Sequence, residues 1–490
     1  MKFDDLININ PWWKFGKEFW QYDKNLREAK EFIEFQRKKI KPAKGNIYII
    51  RGVRQSGKTT YLKQNILKVL DNNPNTILYV PCDRILSRKE LRNIINNFYR
   101  INKDANLLYI LLDEITYLKD WNLELKTIAD SNLIDKTIVF ATGSNPVEIK
   151  EKAERLPGRR VEGNEYYLKP ITFREFILQT IDKITPRVDS KEFAESLRIL
   201  KNKLKGTSIN LEEDHGSMEK EMRDIFPFKE ELDYMFDIYL LTGGFPLTIN
   251  EYLKNRFIEK REDIKNEVYE TFVRLFLGDI SKIKRSETIA KEIVKGIIDR
   301  YGSRYSFSAI AKGLGLPHQT VMEYLEILED SFLITVFYSS DPSTKKLRFK
   351  GDKKIYFSDP FIYHCLSAFL SGYNGFDSSK ENLLRNKDSI VEGIIASHLI
   401  QTNEIPYQRE WKTYLSFVYT STGKEIDFIH NRKTCIEVKY KEEVDIRDIT
   451  KIKNIEKYIV LTKNQFEVGE ITFVPVSVFL SLLERSDMVL

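Results

Sequence analysis

Short apolar runs alternate with amphipathic stretches through the first third of the chain. NIYII (46–50), TILYVPC (76–82), LLYILLD (107–113) and TIVFATG (137–143) are β-rich and almost uninterrupted by polar residues. Strands covered on both faces read this way, and helical patterns fall between them, so the spacing predicts a parallel α/β sheet over 46–176. Ahead of it, residues 1–45 form a strap rich in aromatics (Trp12, Trp13, Phe15, Phe19, Trp20), followed by a charged helix. Residues 177–255 read as polar, charged helices, and KLKGTSINLEEDHGSMEKE within them reads as a mobile insertion. Residues 256–357 begin as a Lys- and Glu-rich helix. They continue as a helix, a GLGLPH turn, a second helix and a two-stranded ribbon. The pattern from 358 to 490 is mixed α/β again.

Composition changes this picture little. A chain of 490 residues carries a prior of about three domains at roughly 150 residues each. Lys+Arg 78 against Asp+Glu 72 leaves +6, which is compatible with a nucleic-acid partner without requiring one. Cys82, Cys365 and Cys435 have neither metal-ligand spacing nor even pairing, as expected in a reducing compartment. MKFDDLININ lacks the apolar core of a signal peptide, and no apolar run approaches the ~18 residues of a membrane span. The expectation is a soluble, cytoplasmic protein with no membrane partner.

The first candidate chemistry lies at the end of the first run. IYIIRGVRQSGKTTYL (47–62) fits G-x-x-x-x-G-K-[ST], with a strand before it and a helix after it. Gly52, Val53, Arg54, Gln55, Ser56, Gly57, Lys58, Thr59 and Thr60 would wrap the phosphates of ATP with backbone N–H groups and the helix N-terminus. Lys58 would reach the β- and γ-phosphates, and the Thr59 hydroxyl would bind Mg²⁺. LLYILLDE then ends an apolar strand in two carboxylates, Asp113 for Mg²⁺ and Glu114 for the attacking water. The next strand ends in Thr142, Ser144 and Asn145, where a polar side chain would sense the γ-phosphate or where Gly143-Ser144-Asn145 simply turns. Arg159 and Arg160, after a Pro-Gly turn, are either solvated or supply transition-state charge across a subunit boundary, which would make the partner a second copy of the chain.

With RGVRQSGKTT, LLDE, ATGSN, the LPGR run followed by LKPITFREF, and TGGFP (242–246), nearly the whole chain resembles a family of archaeal and bacterial AAA+/STAND-like P-loop ATPases. These carry a C-terminal nuclease-like domain of unknown function. The resemblance implies an ASCE/AAA+-like core at 46–176, a helical lid at 177–255, a winged helix at 256–357 and a restriction-endonuclease-like α/β domain at 358–490. It also implies that Gly244, Phe245 and Pro246 lie near the nucleotide base; a helix-ending turn explains them as well.

SFSAIAKGLGLPHQTVMEYLEILEDSFL has helix-turn-helix spacing with Gly315 in the turn. Its second helix carries Glu323, Glu326, Glu329 and Asp330, a poor face for phosphate. The ribbon that follows crowds Lys345, Lys346, Arg348, Lys350, Lys353 and Lys354 together. It reads as a wing that tracks a DNA backbone or as a solvated basic hairpin.

Near the end, KEIDFIHNRKTCIEVKY reads as two strands joined by a polar HNRK turn. Alternation puts Cys435, Glu437 and Lys439 on one face, and hairpin pairing brings Asp427 beside Glu437. SIVEGIIASHLI is an apolar helix with one acid, Glu392, and YQREW (407–411) would supply a neighbouring strand. Glu392, Asp427, Glu437 and Lys439 are together similar to the PD-(D/E)XK nuclease motif. That similarity implies Mg²⁺ on Asp427 and Glu437, with Lys439 beside the scissile phosphate. A hairpin with a wet charged face is the plain alternative. The functional expectation is Mg²⁺-dependent ATP hydrolysis controlling a nuclease-like domain with DNA as a candidate partner. The alternative is an ATP-gated switch with slow turnover and an inactive nuclease fold.

Overall fold

The computed structural model describes residues 3–37, 40–70, 73–143, 164–402, 412 and 414–484. The chain divides into two compact units, Met1–Lys169 and Pro170–Leu490.

The first unit is built on a five-stranded sheet in the order β2-β3-β4-β1-β5. The strands are β1 (Ile47–Arg51), β2 (Ile77–Pro81), β3 (Leu108–Asp113), β4 (Thr137–Thr142) and β5 (Glu165–Tyr167), and every pairing is parallel. Strand alternation explains the apolar runs. Ile47 and Ile49 face a core with Val80, Ile110, Val139 and Trp121, while Tyr48 and Ile50 face a second core with Leu62, Ile66, Phe140 and Trp12. The predicted parallel α/β core is therefore found. The aromatic strap covers the open edge of β2, which would otherwise leave backbone groups unpaired. Asn10 brackets Tyr79, its Oδ1 accepting the Tyr79 N–H at 2.7 Å and its Nδ2 donating to the Tyr79 carbonyl at 3.0 Å. The indoles of Trp12 and Trp13 both donate to the Ile77 carbonyl.

The second unit joins helices to a seven-stranded mixed sheet, β12-β11-β10-β9-β8-β6-β7. Its strands are β6 (Ile334–Ser340), β7 (Lys353–Phe357), β8 (Leu415–Tyr419), β9 (Glu425–His430), β10 (Thr434–Val438), β11 (Lys457–Thr462) and β12 (Ile471–Pro475). The expected helix–turn–helix is present, as helices Phe307–Leu314 and His318–Asp330 around Gly315 at φ 65°. The ribbon β6–β7 does form, but β6 also pairs with β8 at Ser339 and Ser340, so the ribbon extends the C-terminal sheet. The expected division at 357/358 thus falls inside one sheet. Three of the six basic residues assigned to the wing are internal: Lys345, Lys353 and Lys354 are buried, the first two with their ammonium groups on backbone carbonyls. Glu329, read from sequence as part of an acidic helix face, is buried too. It pairs with Lys412 at 2.8 Å and accepts the Val336 N–H.

The stretch expected to be a mobile insertion is ordered. Ile209 bridges to Leu483, Lys457 donates to the Leu211 carbonyl at 2.8 Å, and Met218 and Met222 are buried on the helix His215–Ile225. Apolar positions spaced four apart among many charges fixed that segment, while the charges dominated its composition. Among the described residues no helix is long and apolar enough to cross a membrane.

Candidate active site: the loop at 52–59 and the acidic strand end

The turn between β1 and the helix Lys58–Val69 needs its glycines for two reasons. Gly57 sits at φ 89°, where a side chain is strained, and the Leu168 carbonyl stands where a Cβ on Gly52 would be. Gln55 also lies at positive φ, so the loop curls tightly. Lys58 is 6% exposed, and its Nζ donates to the carbonyls of Gly52 (3.0 Å) and Val53 (3.1 Å) across the loop. Ser56 Oγ is buried without a hydrogen-bond partner, an orphaned donor inside the loop. From the strap, the buried Arg37 guanidinium holds the carbonyls of Ser56 (2.8 Å) and Lys169 (3.0 Å), a tether that nothing in the sequence pattern announced.

Asp113 lies at the C-terminal end of β3 and Thr142 at that of β4, which runs between β3 and β1. Three hydroxyls converge on the Asp113 carboxylate: Thr59 at 2.7 Å and Tyr79 at 2.8 Å on Oδ2, and Thr142 at 2.5 Å on Oδ1. Thr142 Oγ1 in turn accepts the Glu114 N–H at 3.0 Å, and Glu114 is held at φ 53°. Sequence separates Thr59, Asp113 and Thr142 widely; the parallel register places them together. Tyr79 was not anticipated. Burial first, and then the Asp113 charge, push its phenol well above the usual range, so it stays a donor. A hydroxyl and a carboxylate in contact at a loop of N–H groups is a donor set suited to Mg²⁺, whose remaining ligands are water and phosphate oxygens. Ser144, Asn145, Arg159 and Arg160 lie outside the described residues.

In the second unit the glycines of TGGFP serve local packing. Gly243 is at φ 59° against Asp359, Gly244 N–H donates to Asp359 Oδ2 at 2.8 Å, and its carbonyl accepts from Ile171 N–H at 2.8 Å.

The β9–β10 hairpin turns through Asn431, Arg432 and Lys433, the first two at positive φ. Its register pairs Ile436 with Phe428, which sets Asp427 next to Glu437 on the same face. Glu392, from the helix Gly375–Gln401, joins this face. The centre of the cluster is a residue assigned from sequence to the wing. Lys354, 1% exposed, reaches Glu392 Oε1 at 2.7 Å and Asp427 Oδ1 at 2.9 Å, and also contacts Glu425. Tyr356 O–H donates to Glu392 Oε1, and the Val438 N–H donates to Asp427 Oδ2 at 2.9 Å. Glu437 Oε1 pairs with Lys439 at 2.9 Å, while its Oε2 is buried without a hydrogen-bond partner. Burial and then the Asp427 charge push the Glu392 carboxyl up to about 7. Burial pulls the Lys354 ammonium down, yet the surrounding acids outweigh it and hold the group well above its usual range.

Among the described residues no group of three or more His, Cys, Asp or Glu side chains is arranged to hold a metal ion. Asp427 and Glu437, the pair expected to hold Mg²⁺, are brought together, with one carboxylate engaged by Lys354 and the other by Lys439. Lys354, Tyr356 and Glu425 were missed. Their trace in the sequence is a lysine and a tyrosine spaced two apart in the otherwise apolar end of KKIYF.

A family model described as AAA domain matches residues 44–177, and one for a domain of unknown function, DUF8612, matches residues 234–373. Two uncharacterized proteins of Methanocaldococcus jannaschii are similar to this chain. MJ1637 is 24% identical over 349 residues, which cover 68% of this chain and 64% of that protein, slightly under two thirds of its length. MJ1544 is 25% identical over 371 residues, covering 74% and 70%. Among solved structures, the crystal structure of Cdc6p from Pyrobaculum aerophilum covers 71% of this chain and 88% of its own at 13% identity. Its TM-score is 0.25, a likeness that carries no argument. The loop, the acidic strand end and the parallel sheet all lie within the residues that are similar to an AAA domain.

Proposed function

We propose that the protein binds ATP with Mg²⁺ at residues 52–59, hydrolyses it, and uses the cycle to control its second unit. The observation that carries this reading is the contact of Thr59 with Asp113 beside a loop closed by its own lysine. The backbone N–H groups of 53–60 bind phosphate, and Lys58 exchanges its two carbonyl partners for the β- and γ-phosphates. Thr59 and Asp113 hold the magnesium ion, which when bound offsets charge on the phosphate oxygens. Glu114 orients the attacking water. Ser144 is assigned to sensing the γ-phosphate and Arg159 to transition-state charge from a neighbouring copy in a homo-oligomer. Multiple-turnover phosphate release by wild type and by Lys58→Ala is the test. Equal rates would remove the site.

The finer reading gives residues 256–357 a winged-helix role and residues 358–490 a nuclease-like role, with DNA met by the basic residues left outside, Lys346, Arg348 and Lys350. A second reading, an ATP-gated switch that turns over slowly and acts through a bound partner, is favoured by one observation: a lysine already fills the acidic cluster. Branched and linear DNA with Mg²⁺ or Mn²⁺, wild type against Asp427→Ala, separates the two. Cleavage lost in the variant supports the nuclease, and no cleavage by either supports the switch.

A further inference from the structure

We propose that Lys354 is a built-in cation that takes the place of a divalent ion among Glu392, Glu425 and Asp427, so that this cluster closes the second unit and binds no metal. The inference goes beyond the nucleotide site and does not depend on it.

The geometry bears on ligands one by one. Mg²⁺ demands near-octahedral oxygen at roughly 2.0–2.1 Å and gives up its water reluctantly. Here Asp427 spends one oxygen on Lys354 and the other on the Val438 N–H. Glu392 Oε1 serves both Lys354 and Tyr356. Glu437 spends one oxygen on Lys439, leaving Oε2 as the buried acceptor without a hydrogen bond. Lys354 cannot swing out cheaply. It sits within β7, its backbone paired with Phe337 of β6, and its departure would take the paired cation from Glu392 and Asp427 and leave Glu425 with Arg304 at 3.6 Å. An ammonium of fixed length in a strand is also a permanent occupant, whereas an ion exchanges with solvent. The ordering that a metal gives some domains would here be supplied by the chain itself.

The test counts bound Mn²⁺ by electron paramagnetic resonance on the full chain without nucleotide, in an Asp113→Ala background that silences the loop's own ion. With Lys354 intact, the expected result is no ion at the cluster at millimolar Mn²⁺. Lys354→Met should gain one ion, at least tenfold tighter than any binding with lysine present, and adding Asp427→Asn should remove it. Lys354→Arg, which keeps a cation, should bind none. An ion bound with Lys354 intact and lost on Asp427→Asn overturns the proposal. So does a folded Lys354→Met that binds no more than its parent. If Lys354→Met does not fold, the lysine-containing pair alone decides between the two outcomes.

Discussion

The roles proposed for Lys58 and Glu114 differ, and substitutions should separate them. Lys58→Ala removes the ammonium proposed to meet the phosphates, so turnover should fall on the order of 10²-fold or more and MgATP affinity with it, read by phosphate release and calorimetry. Glu114→Gln keeps the shape and the Thr142 contact to its backbone, so nucleotide should still bind while kcat drops by roughly 10²–10⁴-fold. Gly52→Ala drives a methyl into the Leu168 carbonyl. A stability loss of about 1–3 kcal/mol is expected in urea titration, together with weakened ATP binding. The loop residues and both carboxylates were legible because their chemistry is contiguous or ends a strand. Tyr79 and Arg37 were not, because a tyrosine in an apolar strand and an arginine in a strap look like packing and solvation until the fold aims them at Asp113 and Ser56.

Among the elements, the helix Phe173–Ile184 is held by more than its capping box of Thr172 and Glu175. Its first N–H, on Phe173, donates at 2.8 Å to His398 Nε2, whose Nδ1 faces the Ile394 carbonyl at 2.8 Å. That acceptor role requires a neutral ring. Burial lowers the His398 pKa to about 4 from a reference of 6.5, with the Ile394 carbonyl working against it. Between those values the unfolded chain binds the extra proton, so this contribution is complete above about 6.5 and is lost as pH falls toward 4. His398→Leu should cost about 1–3 kcal/mol at pH near 7 by stranding the N–H. The gap to wild type should narrow on acidification, measured by denaturant titration across pH. A gap that widens with acid would refute the neutral-acceptor role. The β6–β7 ribbon teaches a related lesson. Its strands and turn signals were readable, but whether a ribbon stands free or joins a sheet depends on a distant partner strand, Phe417 and Val418 pairing with Ser339 and Ser340.

At the scale of the whole molecule, the proposed coupling predicts a remote response. Saturating MgATP should change amide exchange in the β9–β10 hairpin and in β7 of wild type and leave Lys58→Ala unaltered; identical exchange in both proteins would confine the nucleotide's effect to the first unit. The sequence by itself determined the parallel α/β core, the loop at 52–59, the acidic end of β3 and the 425–438 hairpin with Asp427 and Glu437 on one face. Each of these follows from short-range periodicity or from a handful of adjacent residues. Only the tertiary structure decided that the presumed wing is part of a sheet, that the charged stretch around 203–221 is packed, and that Lys354 stands among the carboxylates. Those outcomes depend on which distant strands pair, and a buried charge is recognised only once its partners are known.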